Sequence, residues 1–186
     1  MIGLILISPL FIVLMILISL ESKGGPFFKQ VRVGRHNKDF KIFKFRTMFV
    51  GSDKKGLLTL GDKDNRVTNV GYFLRKYKLD EFPQLINVIK GDMSVVGPRP
   101  EVRKYIDILS EEDKRLLSVR PGITDYASIK FVNESEVLKN SSDPEKTYLE
   151  DILPEKVKLG LEYAEKANLA TDLKIIFITI ARIIGK

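Results

Sequence analysis

Along the chain, one unbroken apolar run gives way first to an alternating pattern and then to helical periodicity. Residues 1–20 carry no charged side chain, and about 20 apolar residues suffice for a helix to cross a bilayer. Within the run, Ser8-Pro9 predicts a bend. Proline removes a helical hydrogen bond and clashes with the preceding turn, and the neighbouring hydroxyl can occupy a freed carbonyl. Two forms follow: a mildly kinked spanning helix, or a sharp bend within the bilayer. Gly24-Gly25-Pro26 ends this element. Phe27–Val33 and Phe40–Met48 read as strands around a turn at Gly34–Asp39, so a β-hairpin is predicted. On the second strand, Lys44 and Arg46 share one face and Phe43 and Phe45 the other.

The rest of the chain reads as helices joined by loops. Val50–Asn65 is polar and reads as a mobile loop, and a short helix through Tyr77 follows, with Thr68 as its cap. The apolar positions Leu85, Ile86, Val88 and Ile89 predict another helix. Asp80 stands as its N-cap, Pro83 in its first turn and Gly91 just past its end. Val102–Val119 is predicted as one amphipathic helix with a solvated acidic run at Glu111-Glu112-Asp113. Asn140–Pro144 is a loop before a charged helix, in which Pro154 marks a break or a new start. Thr171-Asp172 caps a last helix, Leu173–Ile184, whose apolar part is too short to span. An interfacial helix and a packed core helix are both open, and Lys174, Arg182 and Lys186 slightly favour the membrane surface.

Charge sharpens this picture. The net charge is +7, which asks for an anionic partner. From Lys23 to Arg46 there are 8 basic residues and the single acid Asp39, directly after the apolar run. A polybasic segment beside a membrane element points to anionic lipid on the cytoplasmic face. A nucleic acid would explain the charge but not the apolar run beside it. The absence of cysteine excludes disulfides and thiolate metal sites. The one histidine, His36, falls in the hairpin turn and reads as exposed and non-catalytic.

The candidate chemistry centres on Asp80-Glu81. Two adjacent carboxylates at a helix start meet unpaired amides and the positive end of a helix dipole, which keep a carboxylate charged and also attract phosphate. Downstream, Gly97-Pro98-Arg99-Pro100 carries a guanidinium on a loop stiffened by two prolines, and arginine suits bidentate phosphate contact. The blander reading is an ordinary helix cap followed by a turn with a solvated arginine.

The longer string decides between them. Leu79-Asp80-Glu81-x-Pro83-Gln84-Leu85-x-Asn87-Val88, then Lys90-Gly91-Asp92-Met93-Ser94-x-Val96-Gly97-Pro98-Arg99-Pro100-Glu101, resembles the signature of the bacterial sugar transferases, the monotopic polyprenyl-phosphate phosphoglycosyl transferases. Lys44-Phe45-Arg46-Thr47-Met48, Arg66, Thr68, Gly71 and Arg120-Pro121-Gly122-Ile123-Thr124 fit the same pattern. The resemblance implies transfer of a sugar-1-phosphate from a UDP-sugar to polyprenyl (undecaprenyl) phosphate with release of UMP. Asp80 would attack the β-phosphate and form an aspartyl-phosphate-sugar, which the lipid phosphate then attacks. It also implies Mg²⁺, with Asp80 as the metal-site residue. Lys44, Arg46, Arg75, Arg99 and Arg120 are the implied phosphate contacts. Glu81 orients the metal, Asp80 or the acceptor phosphate.

Two departures from that pattern stand out. Asp125-Tyr126-Ala127 lacks the glycine expected there, and Lys130-Phe131-Val132-Asn133 stands near where Asn-Gly-Arg-Asn is common. Only seven residues precede Ser8, so the inbound limb of a re-entrant helix is about two turns or the native start lies upstream.

The expected architecture is α+β, mainly α. Residues 1–22 form a re-entrant or spanning membrane helix with a Ser-Pro break. Residues 23–186 form one cytoplasmic, membrane-associated catalytic domain with a small β-hairpin and amphipathic interfacial helices. The expected location is the cytoplasmic face of a bacterial inner membrane, with a homodimer left open. The rival reading is a non-catalytic, membrane-anchored basic docking module, which would have no need of the Asp80-Glu81 string.

Overall fold

A computed structural model describes residues 2–52, 56, 58–61 and 64–185, with backbone only for 2–7 and 184. Met1, part of the apolar run, and much of the expected loop at 50–65 lie outside the described residues. The architecture is α+β and mainly helical, with two small two-stranded sheets.

Helix α1 (Ile2–Glu21) includes Pro9 without interruption, so the expected Ser-Pro break does not divide it. A proline removes only one rung of the hydrogen-bond ladder, and a 20-residue helix can absorb that loss. Among the described residues no helix is long and apolar enough to cross a membrane. Leu14 and Ile18 are buried, whereas Leu10, Val13, Ile16, Leu17 and Leu20 are exposed.

Strands β1 (Phe27–Val33) and β2 (Asp39–Phe45) form the expected antiparallel hairpin, with Phe28 opposite Lys44 and Arg32 opposite Phe40. The turn is a single 3-10 turn in which His36 is exposed. β2 ends before Met48, which forms only an isolated bridge to Val67. Two elements then lead toward and away from the carboxylate pair. Helix α2 (Asn69–Lys76) starts at its Thr68 cap, and helix α3 (Gln84–Lys90) ends at Gly91, whose φ of +81° is the left-handed conformation glycine adopts freely.

Strand β3 (Ser94–Val96) pairs in parallel with β4 (Gly122–Thr124). The expected helix over 102–119 is instead a short α4 (Arg103–Ile106) and a separate 3-10 turn over Asp113–Ser118. Ser110 accounts for the break: its hydroxyl accepts from the Asp113 amide and donates to the Asp113 carboxylate, a local alternative to helical pairing. Helices α5 (Tyr126–Lys130), α6 (Glu134–Lys139) and α7 (Pro144–Thr147) follow. A π turn at Tyr148–Ile152 leads into α8 (Leu153–Lys166), with Pro154 in its first turn. The last helix, α9 (Leu169–Ile184), begins earlier than expected, because Asn168 rather than Thr171-Asp172 supplies the cap.

Three apolar clusters hold these elements. The largest joins Tyr105, Leu116, Tyr148 and Val157 under the C-terminal helices, and a small one joins Val96, Tyr163 and Ile175. The third places Leu14 and Ile18 of α1 against Phe45, Leu74, Leu79 and Phe82. That last cluster is the floor of the carboxylate pair.

Candidate active site

The pair Asp80-Glu81 lies in a 3-10 turn, Leu79–Glu81, between α2 and α3. Asp80 is therefore not the N-cap of the following helix, whose cap position is Pro83. The turn begins at Lys78, held in the left-handed region at φ 56°, a conformation uncommon for residues with a side chain. Both carboxylates are buried.

Two segments converge on Glu81. Lys44 on β2 donates to Oε1 at 3.0 Å. Arg99, on the loop after β3, reaches Oε1 at 2.5 Å and Oε2 at 3.3 Å, the two-point fork that guanidinium makes with a carboxylate. Asp80 is next in sequence yet has no hydrogen-bond or ion-pair partner among the described residues. The electrostatics separate the pair accordingly. Burial raises the Asp80 pKa and the charge of Glu81 adds to it, against the pull of Lys44, Arg75 and Lys78. Burial opposes the Glu81 charge too, but Arg99 and then Lys44 hold its carboxyl well below the ordinary range. Burial lowers the Lys44 pKa, while Glu81 raises that of Arg99.

The scaffold fixes each partner. The Asn87 side chain accepts from the Phe43 amide at 2.9 Å and donates to the Lys41 carbonyl at 2.8 Å, so α3 is locked to β2. Arg32 donates to the Pro100 carbonyl at 3.1 Å and lies 3.7 Å from Glu101. Asp125 accepts from the Arg99 amide at 3.1 Å and caps α5 through the Ser128 amide at 2.7 Å. The β3–β4 pair is drawn tight at its glycines: a Cβ on Gly122 would lie 2.1 Å from the Gly97 nitrogen.

The other expected phosphate contacts are placed differently. Arg46 points to the end of α1, where its guanidinium donates to six acceptors on Ile18, Ser22, Lys23, Gly24 and Gly25. Period-two reasoning put it beside Lys44, but β2 stops at Phe45 and the alternation stops with it. Arg75 donates to Thr47 and Thr59, and its charge still acts on Asp80. Arg120 is exposed, with its carbonyl packed behind Gly97.

Sequence reasoning passed over Asp125, Asn87, Lys78 and Glu21. Asp125 carried a signal, an Asp just before a helical run. Asn87 stood in the resembled string, but nothing local tells an asparagine to pair with a strand 44 residues away.

Comparison with known proteins identifies the family. The family model described as bacterial sugar transferase matches residues 1–186. The chain is 39% identical over 182 residues to a UDP-N-acetylgalactosamine-undecaprenyl-phosphate N-acetylgalactosaminephosphotransferase of Aeromonas hydrophila, covering 96% of this chain and 40% of that protein. It is 40% identical over 162 residues to the uncharacterized sugar transferase EpsL of Bacillus subtilis (strain 168), covering 87% and 71%. It is 35% identical over 185 residues to a UDP-glucose:undecaprenyl-phosphate glucose-1-phosphate transferase of Escherichia coli (strain K12), covering 95% and 36%. The chain thus spans well under half the length of the first and third of these relatives.

Proposed function

The chain belongs to the bacterial sugar transferase family, and we propose that it moves a sugar-1-phosphate from a UDP-sugar to polyprenyl phosphate, releasing UMP. The relatives' names describe such an exchange onto undecaprenyl phosphate, with N-acetylgalactosamine or glucose as the sugar. The observation that carries the reading is the division within the buried pair: Glu81 takes both Lys44 and Arg99, and Asp80 takes neither. A carboxylate saturated with cations is a poor nucleophile, and one with free lone pairs beside those cations is a good one.

Asp80 acts as the nucleophile. A carboxylate oxygen attacks the β-phosphorus of the UDP-sugar, the bond from that phosphorus to the bridging oxygen breaks, and UMP leaves with the bond electrons. The polyprenyl phosphate oxygen then attacks the same phosphorus, the aspartyl oxygen leaves, and the carboxylate is regenerated. No proton has to move in either step. Two half-reactions replace one difficult displacement. Lys44 and Arg99 lie where they can turn from Glu81 to the anionic oxygens of the diphosphate. Glu81 holds them in place between turnovers.

The site also suits Mg²⁺. Among the described residues no group of three His, Cys, Asp or Glu side chains is placed to hold a metal ion. Asp80 nevertheless has uncommitted oxygens, and magnesium is commonly held by one or two carboxylates together with substrate phosphates and water. Asp80 would be its protein ligand, and the ion would neutralise charge on the donor's diphosphate.

The same reading places the protein on the cytoplasmic face of a bacterial inner membrane, with α1 inserted. Its support is the exposed apolar surface of α1 and a second apolar stripe on α9, at Leu169, Leu173, Phe177 and Ile180. The basic stretch from Lys23 to Arg46 would meet anionic lipid headgroups.

The test is the covalent step. Purified protein in detergent, given Mg²⁺ and a panel of UDP-sugars without acceptor, should gain the mass of one sugar-phosphate on the peptide containing Asp80. Adding polyprenyl phosphate should remove the adduct and give UMP in step with product. An adduct on another residue, or turnover with no adduct, would overturn the assignment.

A further inference from the structure

We infer that Glu21, the last residue of α1, is a positioning residue for the Asp80 turn; the inference rests on the catalytic reading of Asp80 given above. The Glu21 carboxylate reaches across 48 residues of sequence to the start of α2, where Oε1 accepts from the Asn69 amide at 2.7 Å and Oε2 from the Val70 amide at 2.9 Å. Thr68 accepts from the third amide, that of Gly71, at 2.9 Å. The three first-turn amides of α2 that have no partner within the helix are therefore all bonded, two of them by a residue of another element.

This junction matters because of what α2 carries. An isolated helix of eight residues is unstable in water, so its contacts fix its direction. Two hold its body. A Cβ on Gly71 would lie 2.1 Å from the Thr47 carbonyl oxygen, so helix and chain meet backbone to backbone. Arg75 donates to the Thr47 hydroxyl at 2.8 Å. Only Tyr77-Lys78 then separates the end of α2 from the 3-10 turn that presents Asp80.

α1 is bound into the same unit from two further sides. Arg46 donates to the Ile18 carbonyl in its last turn and to the Ser22, Lys23 and Gly24 carbonyls just past it, and Leu14 and Ile18 pack against Leu79 and Phe82, which flank Asp80-Glu81. A carboxylate at a helix start is also favoured by the helix dipole. Arg99, by contrast, is held from the β3–β4 side by Asp125. The Asp80 turn is thus referenced to α1, and Arg99, the partner of Glu81, to the second sheet. Loosening Glu21 lets one move against the other.

The test uses the full chain in detergent with Glu21→Ala and the near-isosteric Glu21→Gln, which keeps one acceptor and sets an NH₂ against the second amide. Hydrogen-exchange mass spectrometry should show faster exchange over residues 69–82 in both variants and unchanged exchange over 94–124. kcat should fall at least roughly tenfold with KM for the UDP-sugar nearly constant, since small misplacement of a reacting group is costly. Unchanged exchange over 69–82 would overturn the inference whatever the activity. Faster exchange with unchanged kcat would overturn it as well, leaving Glu21 a plain helix cap. If the parent protein turns over no UDP-sugar, the catalytic reading of the site fails and the positioning inference that rests on it falls too. Exchange then separates the two cases: a local change at 69–82 keeps the junction as structure, and no change removes it altogether.

Discussion

Adjacent carboxylates with opposite electrostatic fates define the site at the scale of single residues. The raised pKa of Asp80 means that its ionised form costs folding stability above the ordinary aspartate value of about 3.9. Asp80→Asn should therefore abolish transfer, by roughly 10³-fold or more, while melting higher than the parent at pH 8. That gap should narrow as pH falls through the raised value, which a pH series of thermal melts would show. The acid limb of kcat/KM against pH should likewise lie higher than for an ordinary aspartate if the carboxylate is the attacking form. Glu81 has the opposite sign: its lowered pKa contributes stability above the ordinary glutamate value and loses it only as pH falls through the depressed one. Glu81→Gln leaves two cations in a largely buried site without their carboxylate, at a cost of about 3 kcal/mol, measurable by denaturant titration. Arg99→Lys keeps charge but cannot rebuild the two-point contact, and kcat/KM should fall roughly a hundredfold. A near-normal value would mean that the fork plays no part in turnover.

At the scale of elements, close backbone approaches decide what can be changed. Gly71→Ala would drive a Cβ into the Thr47 carbonyl and should cost about 2–4 kcal/mol, read as a lower urea midpoint. Asp125→Ala should free the Arg99 amide and the α5 start together, lowering kcat/KM with a smaller loss of stability, about 1 kcal/mol. The hairpin, the Thr68 cap and the Gly91 terminus were legible in the chain, because period two, cap chemistry and a left-handed glycine are local signals. The helix expected over 102–119 was not, since Ser110 and Asp113 satisfy each other across its middle and the amphipathic pattern does not register that competition. Asp80 looked like a cap because an acid before an apolar run usually is one. The extra 3-10 turn is set by packing of Leu79 and Phe82 on α1, which no window around Asp80 contains.

For the whole molecule, the question is how α1 lies relative to the rest. Its buried face, Leu14 and Ile18, meets the floor of the carboxylate pair, and Leu10, Val13, Ile16, Leu17 and Leu20 are exposed. The re-entrant reading predicts that residue 3 and the catalytic domain share one side of the membrane. A cysteine placed at Gly3 in this cysteine-free chain should then resist an impermeant thiol reagent in intact spheroplasts and react once the cytoplasmic face is opened. Labelling from the periplasmic side would establish a spanning helix. The carboxylate pair and its arginine loop were readable from sequence as a string. Their assembly was not, because Lys44, Glu81, Arg99 and Asp125 are carried by four separate segments and meet only once both sheets form.

The side chain of Asn87 has a consequence beyond the site. A two-stranded hairpin has open edges, and an open edge invites a strand from another molecule. Asn87 offers β2 one acceptor and one donor at Phe43 and Lys41, the same pair of bonds an incoming strand would make. The opposite strand is closed in a similar way, with the Val33 amide donating to the Glu101 carbonyl. A single amide side chain thus acts as a gatekeeper against templated association, in a protein whose other surfaces are already rich in exposed apolar groups.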